Sequence, residues 1–176
     1  MSAMWVDVAP TRDQPAHHLP ALQDCLLESA PPVQLLFDCR TLTQYPFSQP
    51  GFSGGTEGVV KRIISGLAER DHQVHVVAPD LDHDEQRGPN EWWWGPAAHP
   101  TTADVVIPVQ SLRYVEGYSA ESFVLFLTTI DPWLGDDGSW GNRLAAVPCM
   151  SQTHMDYLTR ERPSIPAEKC AITGLG

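Results

Sequence analysis

Thr56-Glu57-Gly58-Val59-Val60-Lys61-Arg62-Ile63-Ile64-Ser65-Gly66-Leu67-Ala68-Glu69-Arg70 runs through Asp71-His72 into Gln73-Val74-His75-Val76-Val77-Ala78, so two hydrophobic periods follow each other within one stretch. In the first part Val59, Val60, Ile63, Ile64, Leu67 and Ala68 fall alternately one and three residues apart, which draws a single wide apolar stripe at helical period. A helix packed on a sheet follows. In the second part Val74, Val76 and Val77 form a β-branched run that Pro79 ends, as a strand does. Upstream, Val33-Gln34-Leu35-Leu36-Phe37-Asp38-Cys39 is a mostly apolar run of strand length, suited to a strand buried on both faces. Strand, helix and strand in this order predict a βαβ unit with a right-handed crossover and a parallel sheet.

The pattern continues outward from that unit. Strands are expected at Asp104–Pro108, Ser122–Thr128, Leu144–Cys149 and Ala171–Thr173, with helical stretches at Leu112–Gly117 and Ser151–Arg160. This alternation predicts an α/β fold, a Rossmann-like three-layer doubly wound parallel sheet, over residues 33–176. Residues 1–32 read as an appended arm, rich in Pro, with a short helix from Pro20 to Ser29 that carries Leu22, Leu26 and Leu27 on one face. Between the first strand and the first helix, Pro46, Pro50 and Gly51 break both helix and ladder, so Arg40–Ser53 is a long loop of the kind that often carries function.

Composition limits the partners. The chain has 176 residues, 42% of them hydrophobic and 19% charged, and 11 Lys and Arg against 22 Asp and Glu give a formal charge of −11. Nucleic acid and anionic membrane surfaces need cations to neutralise phosphate, and are not expected as partners. No apolar run reaches the eighteen residues of a membrane span and no signal-like apolar core follows a basic start, so a cytoplasmic location is expected. The 4 cysteines, at 25, 39, 149 and 170, include no Cys-x-x-Cys pair and read as reduced thiols.

Several short motifs compete for the loop before the first helix. Gly51-Phe52-Ser53-Gly54-Gly55-Thr56-Glu57-Gly58 leads into a helix start, where unpaired N–H groups and the helix dipole favour an anion. Its glycine offsets do not match the dinucleotide fingerprint, and no Lys follows Gly55, so neither an NAD site nor a Walker loop fits. The same residues contain Gly-x-Ser-x-Gly, with Ser53 as nucleophile and Asp131 and His154 in hydrolase order, but Ser53 lies fourteen residues past Cys39 instead of at a sharp strand-to-helix elbow. Asp80, Asp82, Asp84 and Glu91 match four positions of a calcium loop, yet Glu85 stands where the turn needs Gly, and a solvated acidic loop is expected. His72 and His75 lack helical ligand spacing, so no metal is assigned. Thr128-Thr129-Ile130-Asp131-Pro132-Trp133 closes an apolar run and places polar groups at the carboxyl end of a strand, where ligands of such sheets bind. Ser151 stands in the same relation to the next strand and can equally cap the following helix.

With those residues placed, Val33–Gly176 resembles the N-terminal domain of GT-B glycosyltransferases of the retaining family 4 type. The resemblance is carried by Phe52-Ser53-Gly54-Gly55-Thr56-Glu57 with the helix and strand after it, by Ile130-Asp131-Pro132-Trp133, and by Pro148-Cys149-Met150-Ser151 with Tyr157-Leu158 and Ile172-Thr173-Gly174-Leu175-Gly176. It implies one half of a GT-B fold, in which Gly54, Gly55 and Thr56 meet the diphosphate of a UDP- or GDP-sugar donor. It further implies Asp131 as the catalytic candidate and Thr129, Trp133 and Ser151 as substrate contacts, with no bound cofactor. Many relatives have His just before the Asp-Pro segment, where this chain has Thr129-Ile130. The resemblance also implies a small-molecule or glycan acceptor, and a C-terminal Rossmann-like donor domain in cis or in trans without which the chain transfers no sugar. A non-catalytic interaction module is the rival expectation, its acidic surface and Trp92-Trp93-Trp94 meeting a partner protein, because adjacent indoles cannot all enter one core.

Overall fold

In the computed structural model, which describes residues 31–51, 55–127 and 143–173, the βαβ unit is present as strand β1 (Gln34–Asp38), helix α1 (Gly55–Ala68) and strand β2 (Gln73–Val77). Next come β3 (Glu85–Gly88), β4 (Glu91–Trp94), β5 (Thr102–Pro108), β6 (Ser119–Val124), β7 (Leu144–Cys149), α2 (Gln152–Glu161) and β8 (Cys170–Ile172), with short 3-10 turns at Val115–Gly117 and Ala167–Lys169. The strands form one sheet in the order β3-β4-β2-β1-β5-β6-β7-β8, parallel throughout except for β3 against β4. The sheet domain begins at Pro32.

Strand alternation divides the core into two layers. Phe37, Val74, Val76 and Trp93 pack against Val60 and Ile64 of α1 on one face. Leu36, Val106, Phe123, Leu144 and Val147 pack with Leu158 of α2 on the other. With a helix on each face, the molecule is a three-layer, doubly wound α/β fold of Rossmann-like order. Helix α1 ends in a Schellman turn: His72 N–H donates to the Leu67 carbonyl, Asp71 N–H donates to the Ala68 carbonyl, and Asp71 takes the left-handed φ of 66° that this turn requires.

Several boundaries differ from expectation, each for a local reason. The helix expected at Leu112–Gly117 is only the turn Val115–Gly117, because Tyr118 must return to the sheet and donates N–H to the Val115 carbonyl. The strand expected at Ser122–Thr128 runs from Ser119 to Val124, since pairing with β5 starts at Thr102 opposite Ser119. Leu125–Leu127 are buried beyond its end, where Phe126 makes one bridge to Val109. The largest difference is the β3–β4 hairpin, where an acidic loop was expected. Glu91–Trp94 pairs with β2 as an inner parallel strand, and the runs of acids before it and of indoles within it hide the alternation.

Alternation also separates the tryptophans. Trp93 is buried beside Phe47, whereas Trp92 and Trp94 turn to the opposite face and pack on the His75 ring, with centroids 5.2 and 5.9 Å away. Trp94 Nε1 donates to His75 Nδ1 at 3.2 Å, and the Gln34 amide lies 3.0 Å from Nε2. Burial holds the His75 ring below its ordinary value, so the unfolded chain takes up this proton first on acidification. The stability supplied by the neutral ring is present above about pH 6.5 and is lost as the pH falls below it. Thermal unfolding of the wild type should therefore lose ground to His75→Asn between neutral pH and about pH 5. Parallel curves for the two proteins would contradict this.

Candidate functional site

The chain leaves β1 toward β2 and β4, then returns to the other side of β1 with β5, so the strand order reverses between β1 and β5. At such a point the loops leaving the carboxyl ends of two neighbouring strands diverge and open a crevice. A pocket of about 340 Å³ lies there, lined by Thr41–Tyr45 from the loop after β1, by Gly55–Glu57 at the start of α1 and by Gln110 after β5. The loop is firmly held. Leu42 and Phe47 are buried, Thr41 Oγ1 donates to the Val109 carbonyl at 2.7 Å, and Asp80 at the end of β2 accepts from both the Ser48 N–H and Oγ.

Gln110 forms part of the floor in an uncommon conformation. Its φ of 62° lies in the left-handed region, and its N–H donates to the Phe126 carbonyl at 2.8 Å. A non-glycine residue held this way costs roughly 1–2 kcal/mol, a cost often found at functional sites. The conformation sends its side chain across to α1, where Nε2 donates to Thr56 Oγ1 at 3.2 Å. Glu57, in the first turn, is only 7% exposed.

Beside the pocket, a buried ion pair fixes the loop root. Arg40 donates through Nε and Nη2 to the two carboxylate oxygens of Asp38 at 2.9 and 2.7 Å, and through Nη2 to Tyr118 Oη at 2.9 Å. Its guanidinium also lies over the Tyr114 ring at 4.0 Å. Burial, and then the Asp38 charge, push the Tyr118 phenol well up, so it stays protonated.

Of the expected site residues, Gly55 and Thr56 meet in the pocket wall. Ser151 lies two strands beyond β5 along the same carboxyl edge and outside the pocket lining; its Oγ caps α2 by accepting from the His154 N–H at 3.2 Å. Gly54, Thr129, Asp131 and Trp133 lie outside the described residues, as does Ser53. For the hydrolase arrangement, His154 is buried with its Nδ1 accepting from the Met150 N–H, which leaves Nδ1 no proton to donate to a carboxylate. Asp80, expected in a solvated acidic loop, instead holds the loop after β1 by accepting from Ser48, and no metal-ligating cluster occurs among the described residues. No described helix is long and apolar enough to cross a membrane. Comparison of the sequence with protein-family models and with curated proteins returns no match.

Proposed function

We propose that the chain is the acceptor-side domain of a retaining glycosyltransferase, which moves a sugar from a nucleotide sugar to an acceptor and needs a C-terminal donor domain to do so. The observation that carries this reading is the pocket at the strand-order reversal, walled by the Gly55-Thr56-Glu57 segment that the resemblance rests on. In this reading the donor diphosphate, from UDP or GDP, meets the N–H groups of Gly54 and Gly55 from the open side of the cleft, where the start of α1 favours negative charge. Asp131 is the catalytic candidate in this reading, with Thr129, Trp133 and Ser151 as substrate contacts. The protein acts in the cytoplasm.

The interaction-module reading draws less from the tryptophans than their sequence suggests, since Trp93 is in the core and Trp92 and Trp94 are partly covered and packed on His75. The deciding assay offers a panel of nucleotide sugars and simple acceptors to the chain alone, and to the chain joined to a family 4 donor domain. Transfer is expected only from the joined protein, because donor and acceptor must be held together to react. Efficient transfer by the chain alone, or none from the joined protein, would overturn the proposal.

A further inference from the structure

Two of the cysteines come together at the edge of the sheet, three strands beyond β5 and away from the pocket. Strands β7 and β8 pair in parallel, with Val147 opposite Cys170 and Cys149 opposite Ile172. Residues two apart on a strand share a face, so Cys149 and Cys170 project to the same side as diagonal neighbours. Both belong to one core layer: Cys149 is fully buried in it with Leu158 of α2, and Cys170, partly buried, packs against it. Cys39 lies in the other layer, with Val60 and Ile64 of α1, and the sheet separates it from both. Cys149 and Cys170 are reduced, and each S–H points to a nearby carbonyl, Cys149 to that of Val147 at 3.6 Å and Cys170 to that of Pro166 at 3.9 Å. Burial pushes both thiols up, and at Cys149 the neighbouring Cys170 thiol adds to this, to about 11.

We infer that Cys149 and Cys170 are a modification site, a thiol pair that forms a reversible disulfide and so clamps the edge strand β8 onto β7. The oxidant is a small-molecule disulfide. The thiolate of Cys170, the more exposed of the two, attacks one sulfur of that reagent, and the other sulfur leaves as a thiolate that takes up a proton. The Cys149 thiolate then attacks Cys170 Sγ, the Sγ–Sγ bond forms, and the second reagent sulfur leaves as a thiol. The pair gives up two electrons and two protons, and one reagent disulfide becomes two thiols. Because both thiols are held largely protonated, the pair answers sustained oxidation and not a brief pulse. Disulfides of this redox-sensing kind are the ones that suit a cytoplasmic protein. Diagonal Cα atoms on neighbouring strands stand roughly 7–8 Å apart, slightly beyond the span of a relaxed disulfide. Strand β8 must therefore slide a little, and its attachment allows this: it has 3 residues, it pairs with β7 alone among the described strands, and Ala171, Ile172 and Thr173 are exposed. The movement registers at Thr173, whose N–H and Oγ1 both donate to the Cys149 carbonyl, at 2.9 and 3.3 Å.

The test treats the whole reduced, folded chain with oxidised glutathione at about pH 8.5, blocks the remaining thiols with iodoacetamide and maps the peptides by mass spectrometry. A Cys149–Cys170 cross-link is expected, with Cys25 and Cys39 left alkylated, even though Cys25 and Cys39 are closer in sequence and would pair more readily in an unfolded chain. Oxidation should raise the thermal midpoint by roughly 5 °C or more, because the bond closes the loop that holds α2, and dithiothreitol should return it. Cys149→Ser should leave glutathione held on Cys170, whereas Cys170→Ser should leave the buried Cys149 unmodified. The peptide map of the unaltered chain decides the matter whether or not these variants fold. No Cys149–Cys170 cross-link, cross-links through Cys25 or Cys39 instead, glutathione persisting on Cys170 of the unaltered chain, or a midpoint that does not rise would overturn the inference.

Discussion

Replacing Asp38 by alanine is expected to destabilise the domain by about 3 kcal/mol, the low end for removing one partner of a buried ion pair. Asp38 is 4% exposed and answers Arg40 with both oxygens, while the Arg40 side chain keeps only 16% of its exposure. Without the carboxylate, the guanidinium stays beneath Tyr114 and Tyr118 with its charge unmatched, and the Arg40 N–H also loses its acceptor. For a urea slope of about 1.5 kcal/mol/M, the unfolding midpoint should fall by about 2 M. Replacing both Asp38 and Arg40 by leucine should recover much of the loss, since apolar pairs of similar volume often substitute well for buried ion pairs. A single-variant loss below about 0.5 kcal/mol would show that the pair does not hold the loop root.

Gly95→Ala is the second large effect, with an expected loss of about 2–3 kcal/mol. Gly95 follows β4, and a Cβ on it would lie 2.6 Å from the Leu81 carbonyl oxygen and 3.2 Å from its carbon. Both are backbone atoms, so neither can rotate out of the way. Nor can Gly95 retreat freely, because its N–H donates to the His83 carbonyl at 3.1 Å. The thermal midpoint should drop by roughly 8 °C for a domain of this size. An unchanged midpoint would mean that the β2–β3 connection yields easily, which the sequence of small contacts at Leu81 and Asp82 argues against.

What could be read ahead of the structure follows from where periodicity is clean. Helix α1 and strand β2 were legible because Val60 and Ile64 repeat at helical spacing and Val74 and Val76 at strand spacing, and each set enters the same core layer. The β3–β4 hairpin was not legible, since Trp92, Trp93 and Trp94 present apolar groups to both faces and leave no polar alternation to read. The loop before α1 was marked as a candidate site from its length and glycines, but the pocket's makeup depends on features that no local pattern announces. Gln110 adopts a left-handed backbone without being Gly or Asn, and Glu57 is buried although it is a charged residue in the first turn of α1. Asp38 and Arg40 did leave a trace, as charges bracketing the end of an apolar strand, but the Tyr118 hydroxyl that also accepts from Arg40 comes from far along the chain.

The most direct measurement compares sugar transfer by the joined two-domain protein with and without Gly55→Val. A Cβ on Gly55 meets nothing within 4 Å, so the fold should accept the change and stability should stay within about 0.5 kcal/mol. The new side chain nevertheless stands in the pocket wall at the start of α1, where backbone must come close to a bound group. Transfer should fall about a hundredfold, equivalent to about 2.7 kcal/mol of lost stabilisation, at an unchanged urea midpoint. Equal transfer rates in the two proteins would contradict the assignment of this pocket as the functional site.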